Sequence, residues 1–209
     1  MLFSRPVMKM DVLEAIQNRT MVREYSTRPV GGKERETILN AGIRAPTAAG
    51  NEQWYFITVD SPEKQEGLYQ LLIRAQKTYY AKMLKTPLAK EKIDRWVTAA
   101  QRGDYKAPFY VAVLVDLDER FCTRAEIEEL WAQQSVAAAI ENMLLAAWGM
   151  GIGGCWFGVP LLEEEGFYRL LGIEKGGFKL AAVLGFGYPK GETKPRARKK
   201  GLQTVVRAI

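Results

Sequence analysis

The chain of 209 residues contains no histidine. That absence removes imidazole bases, histidine-containing triads and histidine-ligated metals together. Cysteine is almost as scarce. Cys122 and Cys155 lie far apart and match no paired metal or redox spacing, so neither a disulfide framework nor a zinc site is indicated, and no metal is expected. A reducing, cytoplasmic setting is the expectation. The first residues, MLFSRPVMKM, lack an apolar signal core, so no export is implied. The run from Asn142 to Leu162 is free of charge and long enough in principle to span a bilayer. Its second half is crowded with glycine and ends near Pro160, which instead predicts a buried helix leading into a loop and no membrane partner. With imidazole absent, catalysis is left to carboxylate, lysine, tyrosine or thiol, or to a cofactor that brings its own reactivity, and the cofactor leads.

What is present fits one domain over residues 1–209. At 47% hydrophobic residues the chain can bury a substantial core in an α/β or α+β arrangement. The formal charge is +6, and the stretch Lys190 to Lys200 supplies most of it. A chain basic in one short cluster suggests a local anion site more than a nucleic-acid surface, with a solvated tail as the plain alternative. Aromatic residues do not interleave the basic run, so no nucleic-acid partner is expected.

Asp11 is placed to cap a first helix ending near Asn18 or Thr20, and Lys33 to Arg44 repeats the helical pattern before Pro46. Trp54–Asp60, Phe109–Leu117 and Phe178–Phe186 are aromatic and β-branched runs that predict strands. Between the first two strands, two or three helices are interrupted at Pro87 and Gly103, and Tyr79, Tyr80 and Trp96 could cap a pocket there or simply pack. Glu126 to Trp148 predicts one long helix. The final LQTVVRAI, Leu202 to Ile209, is β-prone and apolar, which suits an arm laid on a neighbour or a strand of its own sheet.

Several segments could carry chemistry. GIGGCWFG, Gly151 to Gly158, lets main chain approach a flat ligand and aim N–H groups at it, or it is a glycine-rich turn. Arg19 and Arg23 are four residues apart and can serve one phosphate, with the Thr20 hydroxyl beside them. APTAAGNEQW, Ala45 to Trp54, offers Asn51 and Gln53 to a heteroaromatic edge or a polyol, or presents them to water. Arg196 and Arg198 in KPRARKK make a second possible phosphate clamp.

Taken in order, RTMVR, APTAAGNEQW, GIGGCWFG and GYPKGETKPRARK resemble the phosphate, ring, flavin-loop and closing motifs of the FMN-dependent nitroreductase superfamily. The resemblance implies an α+β nitroreductase-like fold, a mostly antiparallel sheet flanked by helices, and a homodimer with an exchanged C-terminal arm. It implies FMN held at its phosphate and ribityl chain by Arg19, Thr20, Met21, Arg23, Arg196 and Arg198. Cys155, Trp156, Phe157 and Gly158 would then lie by the ring, with backbone near Gly158 facing N5. Pro46, Thr47 and Ala48 would reach the ring from the second subunit. The family's first-motif serine falls at Met21, and its asparagine falls at Gly50 without a gap or at Asn51 with one. The implied activity is ping-pong transfer of hydride from NADH or NADPH to a nitroaromatic, quinone or similar small-molecule electron acceptor, with no side-chain acid or base obligatory. A dehalogenating, flavin-consuming or merely flavin-binding member of the same fold is the alternative.

Overall fold

The computed structural model describes residues 10–118, 120–174 and 176–209. Helix α1 (Val12–Asn18) starts where Asp11 accepts from the Leu13 N–H at 2.7 Å, satisfying one of the unpaired donors of the first turn. Helix α2 (Gly32–Gly42) begins with the Glu34 carboxylate accepting from the Gly31 N–H at 2.6 Å. It ends two residues short of the expected Arg44, because the Arg44 and Ala45 N–H groups close tighter bonds to the Ala41 and Gly42 carbonyls as the chain turns toward Pro46.

Four strands, β1 (Trp54–Val59), β2 (Phe109–Asp116), β3 (Gly153–Phe157) and β4 (Phe178–Gly187), form one antiparallel sheet in the order β1-β2-β4-β3. Helix α5 (Ala125–Gly149) packs with α2 over one face, while α3 (Pro62–Thr78) and α6 (Glu164–Leu171) cover the other. Both faces are therefore dry at the centre, which is why β2 reads as an unbroken apolar run. Its odd positions Phe109, Val111, Val113 and Val115 join the α5 side, and Tyr110, Ala112 and Leu114 join the α3 side. Each of the buried Val, Leu and Phe side chains contributes roughly 1.5–3 kcal/mol of transfer free energy. A bulge between Val113 and Leu114 shifts the pairing with β4, so Ala182 faces α5 but Leu180 faces α3. The α+β class and the helix-flanked antiparallel sheet stand as expected.

One expectation is corrected and one alternative is closed. The segment expected to be a loop, Gly151–Gly158, contains strand β3, paired with β4 from Gly153 opposite Gly187 to Phe157 opposite Val183. Glycine hides the strand signal because neighbours occupy the space of the missing side chains: a Cβ on Gly154 would come within 2.4 Å of Leu144 Cδ2. The tail Leu202–Ile209 adds no strand to its own sheet. It makes a 3₁₀ turn at Leu202–Thr204 and is exposed throughout, since an isolated strand has no backbone partner. The middle segment resolves into α3, a π turn at Tyr79–Met83, and α4 (Lys90–Gln101).

Candidate functional site

The segment after α1 is drawn onto the sheet by β3 and β4. The Val22 N–H donates to the Gly154 carbonyl at 3.0 Å, beside a bridge between Met21 and Gly154. Tyr25 is buried, its hydroxyl hydrogen shared between the carbonyls of Val22 (2.7 Å) and Gly185 (3.1 Å), and burial pushes it well above the usual tyrosine range. The Ser26 N–H donates to the Tyr188 carbonyl at 2.8 Å and the Lys190 N–H to that of Glu24 at 3.1 Å. Tyr188 is fixed in turn by its hydroxyl bond to Glu34 and by the Arg28 guanidinium 3.6 Å over its ring. These contacts align residues 20–26 with 185–190, from opposite ends of the sequence.

Between them opens a polar cavity of about 420 Å³ lined by residues 20–24, Tyr105 and residues 189–194. Thr20, Arg23, Lys190 and Lys194 bring a hydroxyl and three cations, against the carboxylates of Glu24 and Glu192, the latter 3.6 Å from Lys194. A second cavity of about 240 Å³ adjoins it through Arg23 and is lined by residues 155–159, Gln76, Tyr79 and Tyr80. Burial pushes the Cys155 thiol up to about 12, with the Arg23 guanidinium pulling the other way through charge and a hydrogen bond. Cys155 is therefore a neutral packing group at physiological pH. The outer edge of β3 has no strand partner beyond the Gly154 bridge among the described residues, so main-chain groups at 155–158 border this cavity. A Cβ on Gly158 would meet nothing within 4 Å, leaving that backbone open to a flat group.

The structure thus brings Thr20, Met21, Arg23, Cys155, Trp156, Phe157 and Gly158 around two joined cavities. Arg19 stands beside them but bonds Glu141 through Nε at 3.1 Å. Arg196 and Arg198 are exposed beyond the cavity lining. Pro46, Thr47, Ala48 and Asn51 lie elsewhere, on a loop docked to α5 where the Ala48 N–H donates to the Ser135 hydroxyl at 3.1 Å. This loop holds two non-glycine residues in the left-handed region, Ala49 (φ 54°) and Glu52 (φ 50°), at about 1–2 kcal/mol each.

Gln53 is corrected: it faces neither ligand nor water. It is buried with its amide 3.4 Å from the Glu128 carboxylate, which also accepts from the Phe121 and Cys122 N–H groups at 2.8 and 3.3 Å. Sequence reasoning missed Tyr105 as a lining residue, and gave Lys190 and Lys194 only as members of the basic cluster read as a local anion site or a solvated tail. Gly-Tyr-Pro at 187–189 was the available signal, since it ends β4 beside residues 21–26. Among the described residues no cluster of three or more cysteine or carboxylate side chains could hold a metal, and no helix is long and apolar enough to cross a membrane.

Residues 16–188 match the model of the nitroreductase family. A protein of Methanothermobacter thermautotrophicus, provisionally named NADH dehydrogenase/NAD(P)H nitroreductase, is 32% identical over 185 residues, covering 88% of this chain and 80% of its own. A nitroreductase with bound FMN from Desulfitobacterium hafniense superposes with a TM-score of 0.69 at 18% identity, over 96% of this chain and 99% of the other. The NADPH:FMN oxidoreductase of Vibrio harveyi, complexed with NAD+, gives a TM-score of 0.71 at 19% identity, over 94% and 76%.

Proposed function

Because the chain belongs to the nitroreductase family, we propose that it binds FMN across the two joined cavities and works as an NADH- or NADPH-dependent oxidoreductase on small electron-poor acceptors such as nitroaromatics and quinones. The observation that carries this is Arg23: one residue lines both a polar cavity rich in cations and a cavity bordered by residues 155–159. The residues fit the group. Hydroxyl, guanidinium and ammonium donors at Thr20, Arg23, Lys190 and Lys194 suit a phosphate and a polyol, and the bare backbone at Gly158 suits a ring.

Bound FMN would supply the chemistry, taking a hydride at N5 from the nicotinamide and passing two electrons to an acceptor in a second, ping-pong half-reaction, with protons completed from solvent. Arg23 contributes a fixed positive charge that favours negative charge arising between the cavities. Met21 lines the phosphate side, Arg19 stands next to it in its bond with Glu141, and Arg196 and Arg198 are assigned to it from the exposed segment that follows the cavity lining. Main chain at 155–158 offers hydrogen bonds to the ring, with backbone near Gly158 toward N5. The docked loop of Pro46, Thr47, Ala48 and Asn51 lies away from these cavities in its own chain, which suits a role at the neighbour's site in a homodimer. Among the described residues β1 is an edge strand with no partner on its outer side and the tail Leu202–Ile209 is exposed, and we assign the tail to that edge of the second copy.

Purified protein tests this directly. Heat release should yield FMN and no FAD on chromatography. Anaerobic stopped flow should show bleaching of the visible flavin band on adding NADH or NADPH, and acceptor should restore it. Protein that neither carries nor takes up FMN would refute the proposal.

A further inference from the structure

Beside Gly158 lies a third compartment, of about 460 Å³, between the π turn Tyr79–Met83 and residues 158–162. Resting on the function proposed above, we infer that this compartment receives the ring of a flat, uncharged acceptor and that Tyr79 is the residue that selects for it.

The chemistry of the wall is the first ground. Tyr79, Met83, Gly158, Val159, Leu161 and Leu162 line the space, with no Asp, Glu, Lys or Arg among them. The polar cavity on the other side of Arg23 is lined by several charged residues, so a phosphate and an apolar ring are sorted to opposite sides. Continuity is the second ground. Tyr79, Gly158 and Val159 line both this compartment and the cavity containing Arg23, which places an occupant next to the ring-binding backbone.

Exposure and support are the third ground. Met83 and Leu161 are 58% and 50% exposed, and Tyr79 is 37% exposed, so apolar surface from two segments meets across an open space. Tyr79 is nevertheless held. Its ring lies 5.9 Å from that of Tyr80, which meets Trp96 edge-on at 5.4 Å, and Trp96 stacks on Tyr105 at 5.8 Å. This row of rings braces the π turn from α4 and from the polar cavity, to which Tyr105 belongs. Tyr79 itself continues the α3 spiral, its N–H donating to the Ala75 carbonyl, and the wide turn that carries Met83 begins at it, a distortion that recurs at functional sites. A ring already ordered by its neighbours loses little freedom when a planar ligand stacks on it.

The test separates acceptor binding from everything before it. Flavin-loaded wild type, Tyr79→Ala, Tyr79→Phe and Met83→Ala are reduced anaerobically with stoichiometric dithionite, then mixed with 1,4-naphthoquinone or with ferricyanide. For Tyr79→Ala, the half-saturating naphthoquinone concentration should rise roughly two- to tenfold relative to the ferricyanide response, the range an aromatic contact supplies. Tyr79→Phe should restore it, and Met83→Ala should move it the same way by less. An equal change for both acceptors, or none, would overturn the inference, as would loss of FMN from Tyr79→Ala alone. Wild type that holds no FMN, or is not bleached by either nicotinamide, would instead remove the proposed function on which the inference rests.

Discussion

Replacing Gly153 by alanine should loosen the cofactor site and the fold together. Gly153 sits in β3 with an ordinary backbone, so a side chain strains no dihedral, and leaving glycine in a strand should itself gain about 0.5–1 kcal/mol. The clash reverses that sign. The added Cβ would lie 2.4 Å from Val22 Cγ2 and 2.5 Å from Val22 Cβ, and a Cβ cannot rotate away. Overpacking of this depth costs about 3 kcal/mol, at the upper end of the usual range, leaving a net loss of about 2 kcal/mol. For a chain of this size that lowers Tm by roughly 4–8 °C. Relief requires Val22 to move, which breaks its bond to the Gly154 carbonyl and displaces the adjacent Arg23. Thermal melts with and without FMN, together with flavin fluorescence titration, would show a lower Tm and weaker FMN binding. The double variant with Val22→Gly should recover part of both. A Gly153→Ala protein with unchanged Tm and unchanged FMN affinity would show that the 21–23 segment is not held by this contact.

Stability should fall in alkali. Burial keeps Tyr25 and Tyr110 protonated in the folded chain, and raises Tyr69 and Cys155 to about 12 from unfolded values of 10.0 and 9.0. The unfolded chain therefore loses these protons first, so stability is complete below about pH 9 and declines above it, by about 1.4 kcal/mol per pH unit for Cys155 alone; guanidinium midpoints that stay level between pH 7 and 10.5 would refute this. Truncation after Gly201 should cost both the dimer and bound flavin, read by light scattering and visible absorption, and a shortened chain that stays dimeric with full flavin would exclude the exchanged arm.

The strands legible in the sequence were those whose side chains do the packing. Phe109–Asp116 and Phe178–Gly187 are rich in aromatic and β-branched residues because both faces of the sheet are covered there. Strand β3 was hidden for the opposite reason, as neighbours fill the space over Gly153 and Gly154 and local sequence contains no trace of them. The Arg-x-x-x-Arg and GIGGCWFG segments could be singled out because guanidiniums suit a phosphate and glycine permits close backbone approach, but a glycine-rich turn and solvated arginines fit the same residues; the structure brings Arg23 and residues 155–158 to one cavity, while Arg19 bonds Glu141. Lys190 and Lys194 were legible only as part of a basic cluster, because which of its cations line the cavity depends on β4 delivering residues 189–194 beside Glu24. Gln53 was misread because a buried amide and a solvent-facing one look alike until Glu128 is brought to it from 75 residues away.

The polar cavity is built from residues 20–24 and 189–194, stitched by the Tyr25–Gly185 and Glu34–Tyr188 bonds, which span 160 and 154 residues. Such closures come late in folding, since the loop between the partners must be ordered before they can reward it. A growing chain on the ribosome therefore has no place for a phosphate until residues 189–194 have emerged. Any stabilisation by a ligand of this cavity accrues only to the finished molecule, and chains broken off before β4 would gain none of it. Cofactor supply would then set chains that reach past β4 apart from shorter fragments by their resistance to unfolding and degradation.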